Sequence, residues 1–145
     1  MDELKATYVI SSDRSKLDLD LIHAFLTDSY WARGIPKAVV AKSIENSICI
    51  GAFDEAGNQV GFARAVTDKA TFAYLADVFV LEAHRGKGVS KMIMDAYMGH
   101  PELQGLRRHS LATSDAHGLY KKYGFEPINQ PEIWMQKHDP EVYKK

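Results

Sequence analysis

The stretch from Leu75 to Met98 constrains this chain more than any other. Leu75-Ala76-Asp77-Val78-Phe79-Val80 is apolar but for one carboxylate, as a central strand buried on both faces would be. Leu81-Glu82-Ala83-His84 leads into Arg85-Gly86-Lys87-Gly88-Val89-Ser90, after which Met92, Ile93, Ala96 and Tyr97 recur at helical spacing until Gly99 and Pro101 end the run. A strand that passes through a glycine turn into a helix presents the first helical N–H groups without internal partners, at the positive end of the dipole. Such a unit can hold phosphate. Gly86 and Gly88 permit close approach, and Arg85, Lys87 and Lys91 add charge. The same glycines would also serve a plain strand-to-helix turn.

Two nucleotide motifs fail on spacing. A Walker loop needs four residues between its first glycine and Gly-Lys-Ser/Thr, whereas Gly86-Lys87-Gly88 is followed by Val89-Ser90. A dinucleotide turn reads G-x-G-x-x-G; here Lys91 stands at the last position, and the unit lies mid-chain.

The remaining segments alternate between strand and helix. Thr7 to Ser11 predicts a short strand, and Leu19, Ile22, Phe25 and Leu26 give a helix one apolar face. Tyr30 to Pro36 is a loop, and Pro36 suits the first turn of a second helix through Ile44. Ser47 to Phe53 and Gln59 to Val66 form a hairpin about Asp54-Glu55-Ala56-Gly57-Asn58, followed by a strand over Thr71 to Val80. Arg107 to Thr113 reads as a further strand, Ala116 to Lys122 as a short helix stopped by Gly124, and Ile133 to Gln136 as a last strand. This order describes one α/β domain over 1–145, a mixed sheet with helices on both faces.

Composition narrows the function. Eighteen basic and nineteen acidic residues give a net charge of −1, which excludes a general field for nucleic acid or an anionic membrane, so bound phosphate must be held locally. No apolar run reaches bilayer length, and the opening Met1-Asp2-Glu3-Leu4-Lys5 has no leader pattern, so the expected compartment is the cytoplasm. Cys49, alone between Ile48 and Ile50, forms no internal disulfide and reads as a buried thiol. The six histidines lack metal-ligand spacing, and no metal is expected.

Val78 through Ser90 resembles the acetyl-CoA motif of the GNAT acetyltransferases, Gln/Arg-x-x-Gly-x-Gly/Ala after a central strand: Arg85 and Gly88 match it, and Ser90 stands at its last position. Thirty residues on, Leu119-Tyr120-Lys121-Lys122-Tyr123-Gly124-Phe125 is similar to the family's Phe-Tyr-x-x-x-Gly-Phe. Two motifs in order, at this separation, are far more specific than either. The resemblance implies the GNAT fold, a mostly antiparallel mixed sheet flanked by helices, with acetyl-CoA as cosubstrate. The backbone of Val78, Phe79 and Val80 would pair with the pantetheine arm, and amides from Gly86, Lys87, Gly88, Val89, Ser90 and Lys91 would hold the pyrophosphate. Thr113 stands where the family often has an Asn that contacts the cofactor.

The chemistry asks for two proton-handling groups. A protonated amine, with a pKa near 10.4, has no lone pair for attack on a thioester, and the departing thiolate must gain a proton. Asp77 matches a family position that often holds an acid; a carboxylate in an apolar strand suits a base, and it can equally pair with a neighbouring basic group. Tyr120 falls at the general-acid position of the resemblance. Tyr30, Trp31 and Arg33 are candidates for the acceptor pocket, with Asp115 and His117 near Tyr120 in sequence. The expected function is acetyl transfer to the amine of a small molecule within a ternary complex. A catalytically silent acyl-CoA sensor and a protein acetyltransferase are the rivals, and a homodimer is the default assembly.

Overall fold

The computed structural model describes residues 7–144. Residues 1–5, read above for a leader, lie outside them. Five strands make one sheet in the order β1-β2-β3-β4-β5: β1 Val9–Ser11, β2 Ile48–Phe53, β3 Gln59–Thr67, β4 Phe72–Val80 and β5 Arg108–Ser110. The first four run antiparallel to their neighbours, and β5 is parallel to β4. Four helices complete the mixed architecture: α1 Leu19–Asp28, α2 Lys37–Glu45, α3 Val89–Met98 and α4 His117–Lys121.

Local chemistry sets the helix ends. The Asp18 carboxylate accepts from the Leu21 N–H and caps α1. Pro36 is the cap of α2, one place ahead of the expected first turn. The apolar spacing in α1 and α2 then places Ile22, Leu26 and Val40 on one face of the sheet, against Cys49, Phe62 and Phe79. On the opposite face α3 packs Val89, Ile93, Met94 and Tyr97 against Ile50, Ala63 and Leu75. Gly61 of β3 keeps this layer close, because a Cβ there would stand 2.9 Å from the Ile93 Cδ1 atom.

A bulge in β4 reorganises the strand. Phe62 pairs with Phe79 and Arg64 with Ala76, so Asp77 and Val78 together oppose Ala63. Asp77 takes a left-handed conformation with φ 56°, which aspartate tolerates better than most side chains. The extra residue switches the faces: Ala73 and Leu75 point to the α3 layer, whereas Phe79 points to α1 and α2.

Three expectations are corrected. The second half of β4 is not buried on both faces; Ala76, Asp77 and Val78 are half-buried, because β5 ends at Ser110 and pairs only with Phe72–Tyr74. The strand expected over Arg107 to Thr113 contracts to Arg108–Ser110. Ile133 to Gln136 forms no strand. A 3-10 turn over Pro131–Ile133 occupies its start, and Met135 is 96% exposed, while the guanidinium of Arg108 lies 4.7 Å from the centre of the Trp134 ring. The N–H groups of Ile133 and Trp134 are spent within this turn, on the Gln130 and Pro131 carbonyls, and three-residue β5 offers little edge to join.

Candidate active site

Beyond Tyr74, β4 and β5 part, and among the described residues no strand pairs with Leu75–Val80 on the β5 side. The opening begins at the glycine turn. Gly86 and Gly88 have φ of 77° and 82°, and a Cβ on either would meet nothing within 4 Å, so the turn stands open ahead of α3. The first N–H to close the α3 ladder is that of Met92, onto the Gly88 carbonyl, which leaves the amides of Val89, Ser90 and Lys91 without a partner inside the helix. These are the groups an anion would meet.

The basic side chains around this turn serve different ends. Arg85 Nε donates to the Val80 carbonyl at 2.9 Å and ties the turn to the end of β4. Lys91 pairs with Asp95 one helical turn on, at 2.9 Å, and this pairing raises its pKa. Lys87 is exposed between the glycines. Val89 sends its side chain into the core, so it offers an anion its N–H alone.

Tyr120 belongs to the core on the α3 side of the sheet. Anchored by α4, it is 8% exposed and meets Phe125 edge-on, with ring centres 6.0 Å apart. Burial first, then the charges of Asp115 and Tyr30, raise its pKa, so the phenol keeps its proton. Thr113 uses its hydroxyl locally, accepting from the Ala116 N–H at 3.1 Å at the start of α4. Asp115 is exposed on the same loop, and His117 is exposed at the start of α4.

Asp77 differs from the lone carboxylate the sequence suggested. Its Oδ2 accepts from Arg64 Nε at 2.8 Å and its Oδ1 from Trp31 Nε1 at 2.9 Å. It therefore has the basic neighbour named as the alternative. Composition gave no reason to single out Arg64; its one visible sign is a cation inside the apolar run of β3, which needs an acid on the adjoining strand. Ser47, Ser114 and Phe25 were likewise missed. Ser47 Oγ accepts from Arg64 NH1 at 3.1 Å, Ser114 Oγ bonds the Tyr30 hydroxyl at 3.1 Å, and Phe25 stacks on Phe79 with centres 4.0 Å apart.

The loop after α1 thus comes to the opening. Beside it lies a cleft of about 730 Å³ lined by Leu21, Phe25, Tyr30, Trp31 and Leu81, with Asp28 and Arg33 contributing charge. A cleft of about 350 Å³ near Arg14, Lys69 and His100 sits at the opposite end of the strands, beside the β3–β4 turn. Among the described residues no helix is long and apolar enough to cross a membrane.

The arrangement has counterparts in known proteins. The family model for the acetyltransferase (GNAT) domain matches residues 45–127. A candidate acetyltransferase of Gibberella zeae is 30% identical over 141 residues, covering 81% of this chain and 78% of its own. The crystal structure of a GNAT-family protein from Xanthomonas campestris pv. campestris is 54% identical, with a TM-score of 0.93 over 97% of this chain and 99% of that one. An aminoglycoside N-acetyltransferase solved with CoA shares the fold, at 19% identity and a TM-score of 0.65 over 96% of this chain and 100% of its own. With more than half its length matched by the family model, and with these relatives, the chain belongs to the GNAT acetyltransferases.

Proposed function

We propose that the protein transfers acetyl from acetyl-CoA to the amine of a small molecule, by direct attack within a ternary complex. The observations that carry this reading are the free amides of Val89 to Lys91 behind the glycine turn and the edge of β4 from Leu75 to Val80, which is unpaired on its β5 side. The fit to acetyl-CoA is residue by residue. Amides of Gly86 through Lys91 would take the pyrophosphate, the β4 edge would take the amide-bearing pantetheine arm as an added strand, and the thioester would reach the bulge at Asp77. Solved proteins of the same fold hold CoA or acetyl-CoA, which supports this choice of cosubstrate.

The amine nitrogen attacks the thioester carbonyl, the C–N bond forms, and the tetrahedral intermediate collapses with loss of the C–S bond. Tyr120 supplies the proton that the departing thiolate takes up, its burial keeping the phenol protonated. The proton lost by the amine leaves through water on the open side of the cleft, both carboxylate oxygens of Asp77 being engaged. A small acceptor is favoured by the open cleft beside the α1–α2 loop, where Phe25, Tyr30 and Trp31 offer aromatic faces to an amine with an apolar body.

Calorimetric titration with acetyl-CoA and CoA, followed by thiol release with pooled polyamines, amino acids, aminoglycosides and arylamines, tests the reading. Micromolar binding and release of CoA with one amine class support it. Binding without transfer to any amine would make the protein an acyl-CoA sensor, and failure of both ligands to bind would remove the reading.

A further inference from the structure

Each oxygen of the Asp77 carboxylate has its own donor. Arg64 Nε lies 2.8 Å from Oδ2, and the Trp31 indole N–H lies 2.9 Å from Oδ1. Arg64 is itself fixed, because its NH1 donates to Ser47 Oγ at 3.1 Å. A chain of polar contacts therefore runs from the start of β2, across β3 and β4, to the loop between α1 and α2. That loop is pinned a second time by the Tyr30 hydroxyl on Ser114, in the segment leading to α4. Between the two pins it crosses the place where β4 and β5 part. Trp31 is a large ring at the end of this chain, 42% exposed, with ring centres 5.1 Å from Tyr30 and 6.3 Å from Phe25. The indole N–H is its only donor, and Asp77 takes it.

We infer that Asp77 is a positioning residue, a strut that holds the Trp31 indole over the reacting position and makes the α1–α2 loop a strap selecting which amines slide beneath it. The inference rests on the acetyl-transfer reading of the cleft. The bulge serves the same end. Without the extra residue in β4, position 77 would face α3 together with Leu75; the bulge turns the strand so that Asp77 meets Arg64 and the loop on the α1 side. Arg64 neutralises the carboxylate and fixes its plane, so that the remaining oxygen meets the indole at one angle.

The test separates a strut from a base. Trp31→Phe keeps an aromatic ring and deletes the donor together with one ring of the indole. Asp77→Gly removes the strut while accepting the positive φ, and Arg64→Gln/Asp77→Asn replaces the ion pair with a neutral amide pair that leaves one oxygen for the indole. In a Trp134→Phe background, acrylamide quenching of Trp31 fluorescence reports the indole directly, with no amine required. A strut predicts faster quenching in Asp77→Gly and partial return in the amide pair. In kinetics at saturating acetyl-CoA, with tyramine, glucosamine or spermine, whichever turns over fastest, Trp31→Phe should raise the amine KM by about tenfold to a hundredfold, the worth of one hydrogen bond to a charged acceptor. The kcat should change much less, and adding Trp31→Phe to Asp77→Gly should cost little more, since both break one contact.

Unchanged quenching in Asp77→Gly would overturn the inference. So would an amide pair that loses kcat as fully as Asp77→Gly at constant KM, the result of a base. Wild-type protein that binds no acetyl-CoA would sink the acetyl-transfer reading separately, and the quenching result would still decide whether Asp77 holds Trp31.

Discussion

Gly88 is the position where backbone conformation and cofactor binding are most directly joined. It caps α3 at φ 82° and ψ 9°, and a Cβ there meets no atom within 4 Å, so Gly88→Ala adds conformational strain with no steric clash. Holding a non-glycine residue in the left-handed region costs roughly 1 to 2 kcal/mol. For a chain of 145 residues that corresponds to a fall in Tm of about 3 to 8 °C. If the turn relaxes instead, the amides of Val89 to Lys91 rotate away from the anion. Loss of one charge-assisted hydrogen bond then weakens acetyl-CoA by about tenfold to a hundredfold. Gly57 supplies the control: it lies in the β2–β3 turn at φ 86°, also with nothing within 4 Å of a Cβ, and outside the Gly86–Lys91 segment. Gly57→Ala should lower Tm by a similar amount and leave acetyl-CoA affinity untouched. Gly88→Glu adds a like charge at the anion's seat and should abolish binding. Scanning calorimetry and titration of the variants decide the matter, and equal loss of affinity in Gly57→Ala and Gly88→Ala would refute the assignment of the cradle.

Tyr120→Phe should lower turnover by about a hundredfold or more while acetyl-CoA affinity in titration stays unchanged; because burial raises the phenol's pKa, any alkaline loss of activity that belongs to Tyr120 should fall above the ordinary tyrosine value of 10.0. Burial also pushes the Cys49 thiol up from 9.0 to about 11, so its contribution to stability is whole below pH 9 and is lost as pH rises toward 11; alkaline denaturation curves of Cys49→Ala should lack that component. Asp68 accepts from the N–H groups of Ala70, Thr71 and Phe72 in the β3–β4 turn, bonds first to Thr71 that hold its pKa below the ordinary 3.8. Its stabilisation is present above that value and lost as pH falls below it, so wild type and Asp68→Ala should converge in Tm on acidification. Gly61→Ala should cost about 1 to 3 kcal/mol by overpacking against Ile93, and Ile93→Val, which removes the obstructing Cδ1, should recover part of it in a double-mutant cycle of chemical denaturation.

What the sequence discloses here depends on whether a feature is local. The glycine turn is local: Gly86 and Gly88 precede a helical apolar repeat, and steric rules suffice to read a tight, open turn ahead of α3. The hairpin about Asp54 to Asn58 is local too, with the Asp54 N–H bonded to the Asn58 carbonyl at 2.9 Å. The bulge is not. Leu75 to Val80 is apolar on every position but one, so alternation could not reveal that the strand changes face between Leu75 and Phe79. Once that turn of the strand was hidden, so was the partner of Asp77, for Arg64 lies thirteen residues back on another strand and meets the carboxylate only in the bulged register. The contraction of β5 has a similar origin. Its residues are compatible with a longer strand, yet the space that a longer β5 would close is the opening on which acetyl-CoA binding is argued. The sequence signals fail together where β4 is bent and unpaired on its β5 side, and the same two departures from regular sheet leave that edge open and set the Asp77 carboxylate between Arg64 and Trp31.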